Sequence, residues 1–305
     1  EAFAQGIQKL YDQYMQENRP DIIHAHCSVW AGYAAMKLSE QIGIPYVVTE
    51  HATLFQLHRD EISEKNDKVI RKIFQKAARV ICVSGTFAKL IESYRPDIDV
   101  VGNVVNCDAF VPRVDSEKHR GIRFLTVCYM EEEAQLYKKG IDILIQAWTE
   151  VVKKYTDVKL VIGGGGSAKT KVEQWVEEHD ISKYVEFTGA LDRKQVIQEM
   201  QSCDCFVLPS RYETFGVVYI EAMACGKPVI AVANGGPDDF VKPFNGLLIK
   251  PGAEELVQAV YEMIGHLTRG NYYQEEKISN YIKSKFSYEA IAEQLEAIYN
   301  SIKSA

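Results

Sequence analysis

The sequence lacks long apolar runs and has no excess of positive charge. None of its segments reaches the roughly 20 consecutive apolar residues that a helix needs to cross a bilayer. Its 35 Lys and Arg are outnumbered by 42 Asp and Glu, which gives a formal net charge of -7 over 305 residues. A chain with this balance is poorly suited to non-specific binding of nucleic acid, or of an anionic membrane, by the whole molecule. We therefore expect no nucleic-acid partner. The net charge does not exclude a local basic face.

The chain also lacks the marks of an exported, disulfide-bonded protein. Its first residues, Glu-Ala-Phe-Ala-Gln, have neither the basic flank nor the apolar core of a signal peptide. The number of cysteines, seven, is odd, and most of them lie in apolar segments. Cysteines of this kind are typically reduced and packed rather than paired. We expect a cytoplasmic protein whose thiols are free.

Short β-type runs alternate with helical stretches along most of the chain, the pattern of a parallel α/β sheet. A length of 305 residues allows about two domains. The polar stretch from Pro112 to Arg120 lacks periodicity and is the predicted linker. The predicted strands are residues 21–25, 46–49, 80–83 and 100–105 before the linker, and 123–127, 158–163, 185–187, 205–208, 228–232 and 247–249 after it.

The pattern predicts a first α/β domain over residues 1–112 and a second over residues 121–286. The final helix, residues 287–305, could pack back on the first domain. The chain opens inside an apolar-striped helix with no strand before it, and residues 1–112 supply few strands for a parallel sheet. We therefore expect the first domain to be truncated at its N-terminus.

Glu213 and Glu221 lie on either side of an apolar turn that follows a predicted buried strand. In an open parallel sheet such a loop lies at the carboxyl edge, where ligands bind. The N–H groups of Phe215, Gly216 and Val217 and the positive end of the helix dipole can hold a phosphate. The two carboxylates could accept hydrogen bonds from sugar hydroxyls. The alternative is an ordinary capped helix whose acidic start favours the dipole, with Glu221 solvated.

Residues 209–230, which read PSRYETFGVVYIEAMACGKPVI, resemble the signature of the GT4-type retaining glycosyltransferases, the group 1 enzymes with the GT-B fold. The resemblance extends over nearly the whole chain. Its other segments are GIDILIQA at 140–147, LVIGGG at 160–165, VEFTGAL at 185–191 and NGLL at 245–248, with PDIIHAH at 20–26, TEH at 49–51 and NVVN at 103–106 in the first domain. It implies two Rossmann-like domains facing a cleft, with the donor nucleotide on the second domain and the acceptor mostly on the first.

The resemblance also implies roles by position. The implied catalytic residues are His51, Lys139 and Glu213; the donor-binding residues are Gly189, Ala190, Arg211, Thr214, Phe215, Gly216, Val217 and Glu221; and His24 and His26 lie on the acceptor side. Within this set Glu221 would hold the donor ribose, and Glu213 would meet the sugar hydroxyls. Lys139 would offset charge on the leaving diphosphate without a metal.

One segment departs from the family pattern. The family commonly has Gly-Arg-Leu after the first strand of the donor domain, whereas this chain has Cys128-Tyr129-Met130 followed by three glutamates. A phosphate-binding arginine is therefore missing where the family places one. Arg211 and Lys138 are the candidates to replace it.

The glycine run after the predicted strand 158–163 permits a different interpretation. Gly163, Gly165 and Ala168 fit a loose dinucleotide-binding fingerprint, and Glu186 is at a plausible distance to contact a ribose. A nicotinamide-dependent dehydrogenase would use such a motif. However, Glu186 falls inside a predicted strand rather than at its end, where the ribose contact is made.

Three histidines near the ends of predicted strands permit another interpretation, a metal site. His24 and His26 lie two apart on a predicted strand and so share a face, and His51 follows the next strand beside Glu50. These side chains could hold a metal ion for hydrolysis. Alternatively, the histidines contact the acceptor, the loop backbone or the core.

Basic residues follow one side of a predicted amphipathic helix. They are Lys65, Lys68, Lys72, Lys76 and Arg79, opposite the apolar Val69, Ile70, Ile73 and Phe74. This face could contact an anionic membrane or a lipid-linked acceptor. Alternatively it is the solvated face of an ordinary amphipathic helix, which is the commoner origin of this pattern.

Taken together, these features predict a retaining, metal-independent glycosyltransferase of the hexosyltransferase type. It would use no cofactor and would move a sugar from a nucleoside diphosphate, UDP or GDP, to a hydroxyl of a glycan or lipid-linked acceptor. Cell-surface polysaccharide or glycolipid synthesis is the expected setting, either in the cytoplasm or peripherally at the inner face of the membrane. A catalytically silent nucleotide-sugar binder and a nucleotide-sugar epimerase on the same fold are the alternatives.

Overall fold

A computed structural model describes residues 1–15, 17–113, 120–270 and 272–303. The chain divides into two structural units, Glu1–Asn103 with Ile291–Ala305, and Val104–Ala290. Each unit holds one parallel β-sheet, the first of four strands and the second of six. The α/β class with two parallel sheets is therefore confirmed. Most of the predicted linker, residues 114–119, lies outside the described residues.

The sheet of the first unit is built in chain order. Its strands are β1 (Ile23–His26), β2 (Tyr46–Glu50), β3 (Arg79–Cys82) and β4 (Ile98–Val100), and its helices before the linker are α1 (Ala2–Tyr14), α2 (Tyr33–Ile42), α3 (Leu54–Leu57), α4 (Glu64–Lys76) and α5 (Gly85–Ile91). Neighbouring strands pair in parallel. Every residue of β2 is buried, as expected for a central strand covered on both faces.

The second unit carries the larger sheet. Its strands are β5 (Ile122–Val127), β6 (Val158–Gly163), β7 (Val185–Gly189), β8 (Cys205–Leu208), β9 (Val229–Val232) and β10 (Gly246–Ile249). The helices that follow the linker are α6 (Glu133–Lys139), α7 (Ile141–Lys154), α8 (Lys169–Glu178), α9 (Arg193–Ser202), α10 (Val217–Ala224), α11 (Pro237–Phe240), α12 (Ala253–Arg269), α13 (Glu275–Phe286) and α14 (Tyr288–Lys303).

The strand order of the second sheet, β10-β9-β8-β5-β6-β7, contains a reversal. The chain runs from β5 through β6 to β7 on one side, then returns to β8 beside β5 and continues outward through β9 and β10. Loops that leave β5 and β8 at their carboxyl ends therefore diverge. Such a switch point is where open α/β sheets bind their ligands.

The core of the second unit is apolar and aromatic. All residues of β8 and β9 are buried, and the rings of Phe124 and Trp148 meet edge to face at 5.4 Å between centroids. Each such side chain contributes roughly 1.5–3 kcal/mol by its removal from water. All seven cysteines are free thiols, as predicted, and burial raises the pKa of Cys225 to about 12.

In the first unit the predicted bounds differ most from the structure at the fourth strand and at the basic helix. The strand predicted at 100–105 is β4, only three residues long at Ile98–Val100. The chain leaves the sheet edge after Val101 donates to the Cys82 carbonyl. The basic face predicted to run through Arg79 also ends sooner, because α4 stops at Lys76 and extended backbone follows at Ala77.

Arg79 starts β3 instead and makes two hydrogen bonds to the Asp99 carboxylate on β4. On α4 itself, Lys68 pairs with Glu64 and Lys76 pairs with Glu40. Part of the basic face is therefore neutralised within the first unit. None of the helices in the described part of the chain combines the length and apolarity required to span a bilayer.

Candidate functional site

Glu213 lies in the loop after β8 and is only 8% exposed. Its Oε1 accepts hydrogen bonds from Lys139 Nζ at 2.6 Å and from Ser210 Oγ at 2.9 Å. Lys139 is the last residue of α6, the helix that follows β5. Two residues predicted from distant segments therefore meet at the switch point of the second sheet.

The end of α6 is clamped to the loop after β8. Gly140, which caps the helix in a left-handed conformation, approaches Pro209 so closely that a Cβ would lie 2.0 Å from the Pro209 carbonyl oxygen. Two residues earlier, the Lys138 carbonyl accepts from the Arg211 N–H at 2.8 Å. This packing fixes where the Lys139 side chain leaves the backbone.

Arg211 occupies a different environment from the one predicted. Its guanidinium makes two hydrogen bonds of 2.7 Å to the Asp142 carboxylate and a third to the Tyr137 carbonyl. The bidentate contact with Asp142 raises the pKa of Arg211. The side chain thus ties the loop after β8 to α6 and α7, which leaves Lys139 as the cation that contacts Glu213.

Residues 213–216 form a tightly held turn into α10. The Glu213 carbonyl accepts from the Gly236 N–H at 3.1 Å, and Phe215 packs its buried ring against Phe240 and Phe286. Gly216 has φ 92°, and a Cβ there would lie 2.6 Å from the Tyr219 ring. The helix caps on this glycine rather than on a carboxylate, so the capped-helix alternative for Glu213 is wrong.

Thr214 lies within this turn, and Val217 is the first residue of α10. The first amides of an α-helix have no intrahelical acceptor, and they share the positive end of the helix dipole. An anion at this end of α10 would be held by backbone groups alone. The carboxyl edge of the second sheet therefore brings the start of α10, where an anion could bind, together with the cation of Lys139.

Glu221 is the fifth residue of α10 and is only 4% exposed, so the alternative in which it is solvated is wrong. Its Oε1 accepts a hydrogen bond of 2.6 Å from Arg193 Nη1. Burial raises the pKa of Glu221, and the guanidinium of Arg193 opposes this rise. The guanidinium of Arg193 also lies over the Phe110 ring, 4.4 Å from its centroid.

The sequence reasoning missed both Arg193 and Phe110. Arg193 follows Gly189 and Ala190 by only a few residues, which is the one signal that could have drawn attention to it. Phe110 lies just before the linker, where no motif marks it. Both owe their place to the packing of the folded unit.

The loops after β5, β6 and β7 meet through their backbones. A Cβ on Gly164 would lie 1.9 Å from the Cys128 carbonyl oxygen, and one on Gly165 would lie 2.8 Å from the Ala190 Cβ. The Gly189 carbonyl accepts from the Gly164 N–H at 2.9 Å. Gly189 and Ala190 therefore lie beside the glycine run, at the same edge of the sheet as Lys139.

This packing accounts for the glycine run without a dinucleotide. Glu186 lies on β7 and contacts Arg123, near the start of β5, at 3.1 Å between Oε2 and Nη1. Glu186 therefore lies near the amino end of its strand. A ribose contact would have to be made at the carboxyl end. The dinucleotide-binding fingerprint is not supported by the geometry.

The segment that departs from the family pattern is partly buried. Cys128 and Met130 face the interior, and Tyr129 between them is 66% exposed. The hydroxyl of Tyr129 donates to Glu131 at 3.2 Å. A phenol and a carboxylate thus occupy the position where the family resemblance implied an arginine.

In the first unit the three histidines form a continuous stack. The rings of His24 and His26 lie 4.8 Å apart, and those of His26 and His51 lie 5.1 Å apart. His24 hydrogen-bonds Tyr299 of α14 at 2.6 Å and Thr49 at 2.7 Å. Burial, aided by the neighbouring imidazoles, lowers the pKa of His24 to about 4.

His26 and His51 contact each other directly, at 2.8 Å between Nδ1 and Nε2. Burial lowers the pKa of His51, with His26 contributing. Glu50 points its carboxylate instead at the backbone N–H groups of Ser28, His51 and Ala52. Over the residues that the structure describes, no group of three or more metal-ligating side chains is arranged to hold a metal ion.

The loop after β1 is strained. Cys27 and Trp30 adopt positive φ values of 68° and 64°, and the Trp30 indole is 68% exposed. Strained backbone of this kind persists where the surroundings enforce it, and it concentrates at functional sites. The carboxyl edge of the first sheet thus carries His26, His51 and an exposed indole, and His24 stacks on His26 from within β1.

Family models match both units of the chain. The Glycosyltransferase Family 4 model matches residues 3–109, and the Glycosyl transferases group 1 model matches residues 134–285. The chain belongs to the group 1 glycosyltransferases. The resemblance read from the sequence motifs is therefore confirmed.

Two curated relatives are 28% identical in sequence over most of this chain. One component of the human phosphatidylinositol N-acetylglucosaminyltransferase is 28% identical over 289 residues, which are 93% of this chain and 58% of that protein. An uncharacterized glycosyltransferase of Methanocaldococcus jannaschii is 28% identical over 274 residues, 86% of this chain and 72% of that one. The chain thus spans little more than half the length of the human relative.

Solved structures share the fold. Sucrose-phosphate synthase from Thermosynechococcus elongatus superposes with a TM-score of 0.82 at 22% identity, covering 99% of this chain and 77% of that one. The Anabaena protein HepE in complex with UDP gives 0.80 at 20% identity, covering 99% and 82%. The GT-B fold expected from the resemblance is confirmed.

Proposed function

We propose that this group 1 glycosyltransferase is a retaining, metal-independent hexosyltransferase whose donor is a UDP- or GDP-sugar. The observation that carries the proposal is the grouping of Lys139, Glu213 and the start of α10 at the switch point of the second sheet, with Glu221 buried one turn further on. The Anabaena HepE structure, which contains UDP, supports a nucleoside diphosphate as the ligand.

In the proposed donor complex, Glu221 accepts hydrogen bonds from the ribose hydroxyls and Glu213 accepts them from the transferred sugar. The diphosphate lies against the amides of residues 214–217. Lys139 has three N–H donors, of which Glu213 takes one, so the others can contact diphosphate oxygens. Gly189 and Ala190 line the pocket for the base, where the absence of a side chain on Gly189 leaves room for a flat ring.

Retention is proposed to occur without a covalent enzyme intermediate. Retaining glycosidases place two carboxyl groups about 5–5.5 Å apart, one of them as a nucleophile. Glu213 is instead engaged by Lys139 and Ser210, which suits binding better than attack. The acceptor oxygen would attack the anomeric carbon on the face that the diphosphate leaves, and its proton would pass to a leaving phosphate oxygen. Lys139 and the helix start stabilise that phosphate.

The acceptor is proposed to bind the first unit, near His24, His26 and His51. Relatives named for transfer to phosphatidylinositol, among them the human protein and that of Schizosaccharomyces pombe, support a lipid-linked acceptor with a ring of hydroxyls. Lys65 and Lys72 on α4 remain candidates for contact with anionic lipid. We propose that the protein acts in glycolipid or polysaccharide synthesis while peripherally bound at the inner face of a membrane.

Calorimetric titration with UDP-, GDP- and ADP-sugars tests the donor site. We expect one class of nucleotide to bind, and Glu221→Ala to weaken that binding by about tenfold or more, because a buried carboxylate is the proposed ribose acceptor. Glu186→Ala is the matched control, since this carboxylate lies on β7 and pairs with Arg123. Unchanged affinity in the Glu221 variant would remove the basis for this site.

Product analysis then separates the enzyme from its alternatives. A new glycosidic bond with the anomeric configuration of the donor, formed in the presence of a chelator, is the expected result. Binding without transfer would identify a silent nucleotide-sugar binder. Conversion of one nucleotide sugar into another without acceptor would identify an epimerase.

A further inference from the structure

Arg193 joins two residues that are far apart in the sequence. It is the first residue of α9, and its Nη1 lies 2.6 Å from Oε1 of Glu221 on α10. The other side of its guanidinium lies over the Phe110 ring, 4.4 Å from the centroid. Stacking on an aromatic face orients a guanidinium while it keeps its hydrogen-bonding edge available.

The two partners differ sharply in their surroundings. The side chain of Arg193 is 61% exposed, whereas that of Glu221 is 5% exposed. A carboxylate removed from water to this degree favours its neutral form unless a cation or hydrogen-bond donors compensate. Among the described residues, Arg193 is the one charged group that contacts this carboxylate.

The contact also leaves part of Glu221 available. An ionised carboxylate accepts on two oxygens with about four lone-pair directions, and Arg193 contacts Oε1 alone. Oε2 can therefore accept from a ligand hydroxyl while Oε1 remains paired. A protonated Glu221 would instead present an O–H donor and would bind a diol less well.

We propose that Arg193 is a positioning residue that keeps Glu221 ionised and oriented to accept hydrogen bonds from the donor ribose. The inference rests on the proposed role of Glu221 in donor binding. It assigns to Arg193 no contact with the reacting atoms.

The pH dependence follows from the groups around Glu221. Arg193 approaches from α9, and Cys225 lies at the end of α10 with its thiol neutral, because burial raises its pKa to about 12. Two residues after Cys225 in the sequence, Lys227 pairs with Glu275 of α13 at 2.7 Å. Loss of Arg193 removes the opposing charge and moves the pKa of Glu221 further up, so Glu221 takes up a proton at a higher pH.

The test measures the Kd of UDP and of GDP between pH 6 and pH 8 for the full chain and for Arg193→Ala and Arg193→Lys. We expect Arg193→Ala to weaken binding by about fivefold at pH 8, and by more at pH 6, where more Glu221 is protonated. Arg193→Lys restores the charge without the planar fork, so most of the affinity lost at pH 6 should return and the pH profile should resemble that of the unmodified chain.

Arg123→Ala is the matched control. Arg123 also pairs with carboxylates, Glu186 and Glu199, but it lies near the amino end of β5. It should leave nucleotide affinity and its pH profile unchanged. Equal or tighter binding in Arg193→Ala across the pH range would overturn the proposal. If neither nucleotide binds the unmodified chain, it is the proposed donor site that fails.

Discussion

Lys139 and Glu213 hold each other where the loops after β5 and β8 diverge. Their contact of 2.6 Å keeps an ammonium group at the carboxyl edge of the sheet before any ligand binds. A group already in place spends no free energy on reorganisation when charge develops on a leaving phosphate. The ion pair therefore serves orientation more than stability, since the lysine side chain is part-exposed and such pairs stabilise a fold only weakly.

Lys139→Ala should lower kcat by roughly 10²-fold, the usual effect of losing one preorganised charge-stabilising group. The KM for the donor should change less, because in the proposed donor complex the helix amides and Glu221 would still contact the donor. Steady-state kinetics at saturating acceptor measure both. Lys159→Ala is the control, since Lys159 Nζ donates to the Lys183 carbonyl at 2.9 Å near the amino end of β6. A similar loss of kcat in both variants would contradict the role given to Lys139.

Single residues also show which parts of the candidate site can be predicted from the sequence. The motif at residues 209–230 indicated Glu213 and Glu221, and the family resemblance at residues 138–140 added Lys139; the fold brings Lys139 and Glu213 into contact. It could not reveal that Arg211 pairs with Asp142, or that Arg193 pairs with Glu221. Those partners are set by the packing of a loop on a helix and of one helix on another, and no periodicity in the sequence records it.

At the scale of the elements, the start of α10 is fixed by the backbone conformation of the turn before it. Gly216 takes φ 92°, and the space that a side chain would need is filled by the Tyr219 ring. Tyr219 is itself fixed, because its buried hydroxyl donates to the Leu208 carbonyl of β8. The start of the helix, and with it the direction of its first amides, is thus locked to the strand before it.

Gly216→Ala should destabilise the protein by about 2 kcal/mol or more, through left-handed backbone strain and the contact with Tyr219. Gly265→Ala is the opposite case, since it lies inside α12 and a Cβ there meets nothing within 4 Å. That change should stabilise by about 0.5–1 kcal/mol, because alanine is the better helix former. Urea denaturation compares the two, and equal stability in both variants would rule out the steric explanation.

Elements with buried, continuous apolar runs were read well from the sequence. The predicted strands 158–163 and 205–208 match β6 and β8 to the residue. The prediction failed at the edge strand β4, whose three residues include Asp99 and carry little hydrophobic signal. Arg79 was misplaced for a related reason, because its partner is an aspartate across the sheet and not a neighbour on a helix.

At the scale of the whole molecule, the last helix belongs with the first sheet. Tyr299 of α14 hydrogen-bonds His24, Ser301 accepts from Arg79, and Lys303 pairs with Asp21. The first structural unit therefore consists of two separate stretches of the chain, Glu1–Asn103 and Ile291–Ala305. Its sheet and its last helix are held partly by a histidine that is neutral at physiological pH.

Acid should therefore weaken the first unit. The pKa of His24 is about 4 in the folded protein, below the ordinary histidine value of 6.5, so the unfolded chain binds more protons between these values. Stability present above pH 6.5 should be lost as the pH falls towards 4, by about 2 kcal/mol for this group. Denaturation at pH 7 and about pH 4.5 should show a smaller change in His24→Gln than in the unmodified chain. An identical pH dependence in the two proteins would exclude His24 as the origin of the loss of stability in acid. The control is His179→Gln, at an exposed position on the second unit.

The split first unit sets an order of events during synthesis. When residue 103 has been made, β1 to β4 are present, but the helix that meets His24 and Arg79 has still to be translated. The second unit, which is continuous, can be completed before the first. The first unit therefore cannot close until α14 has also left the ribosome.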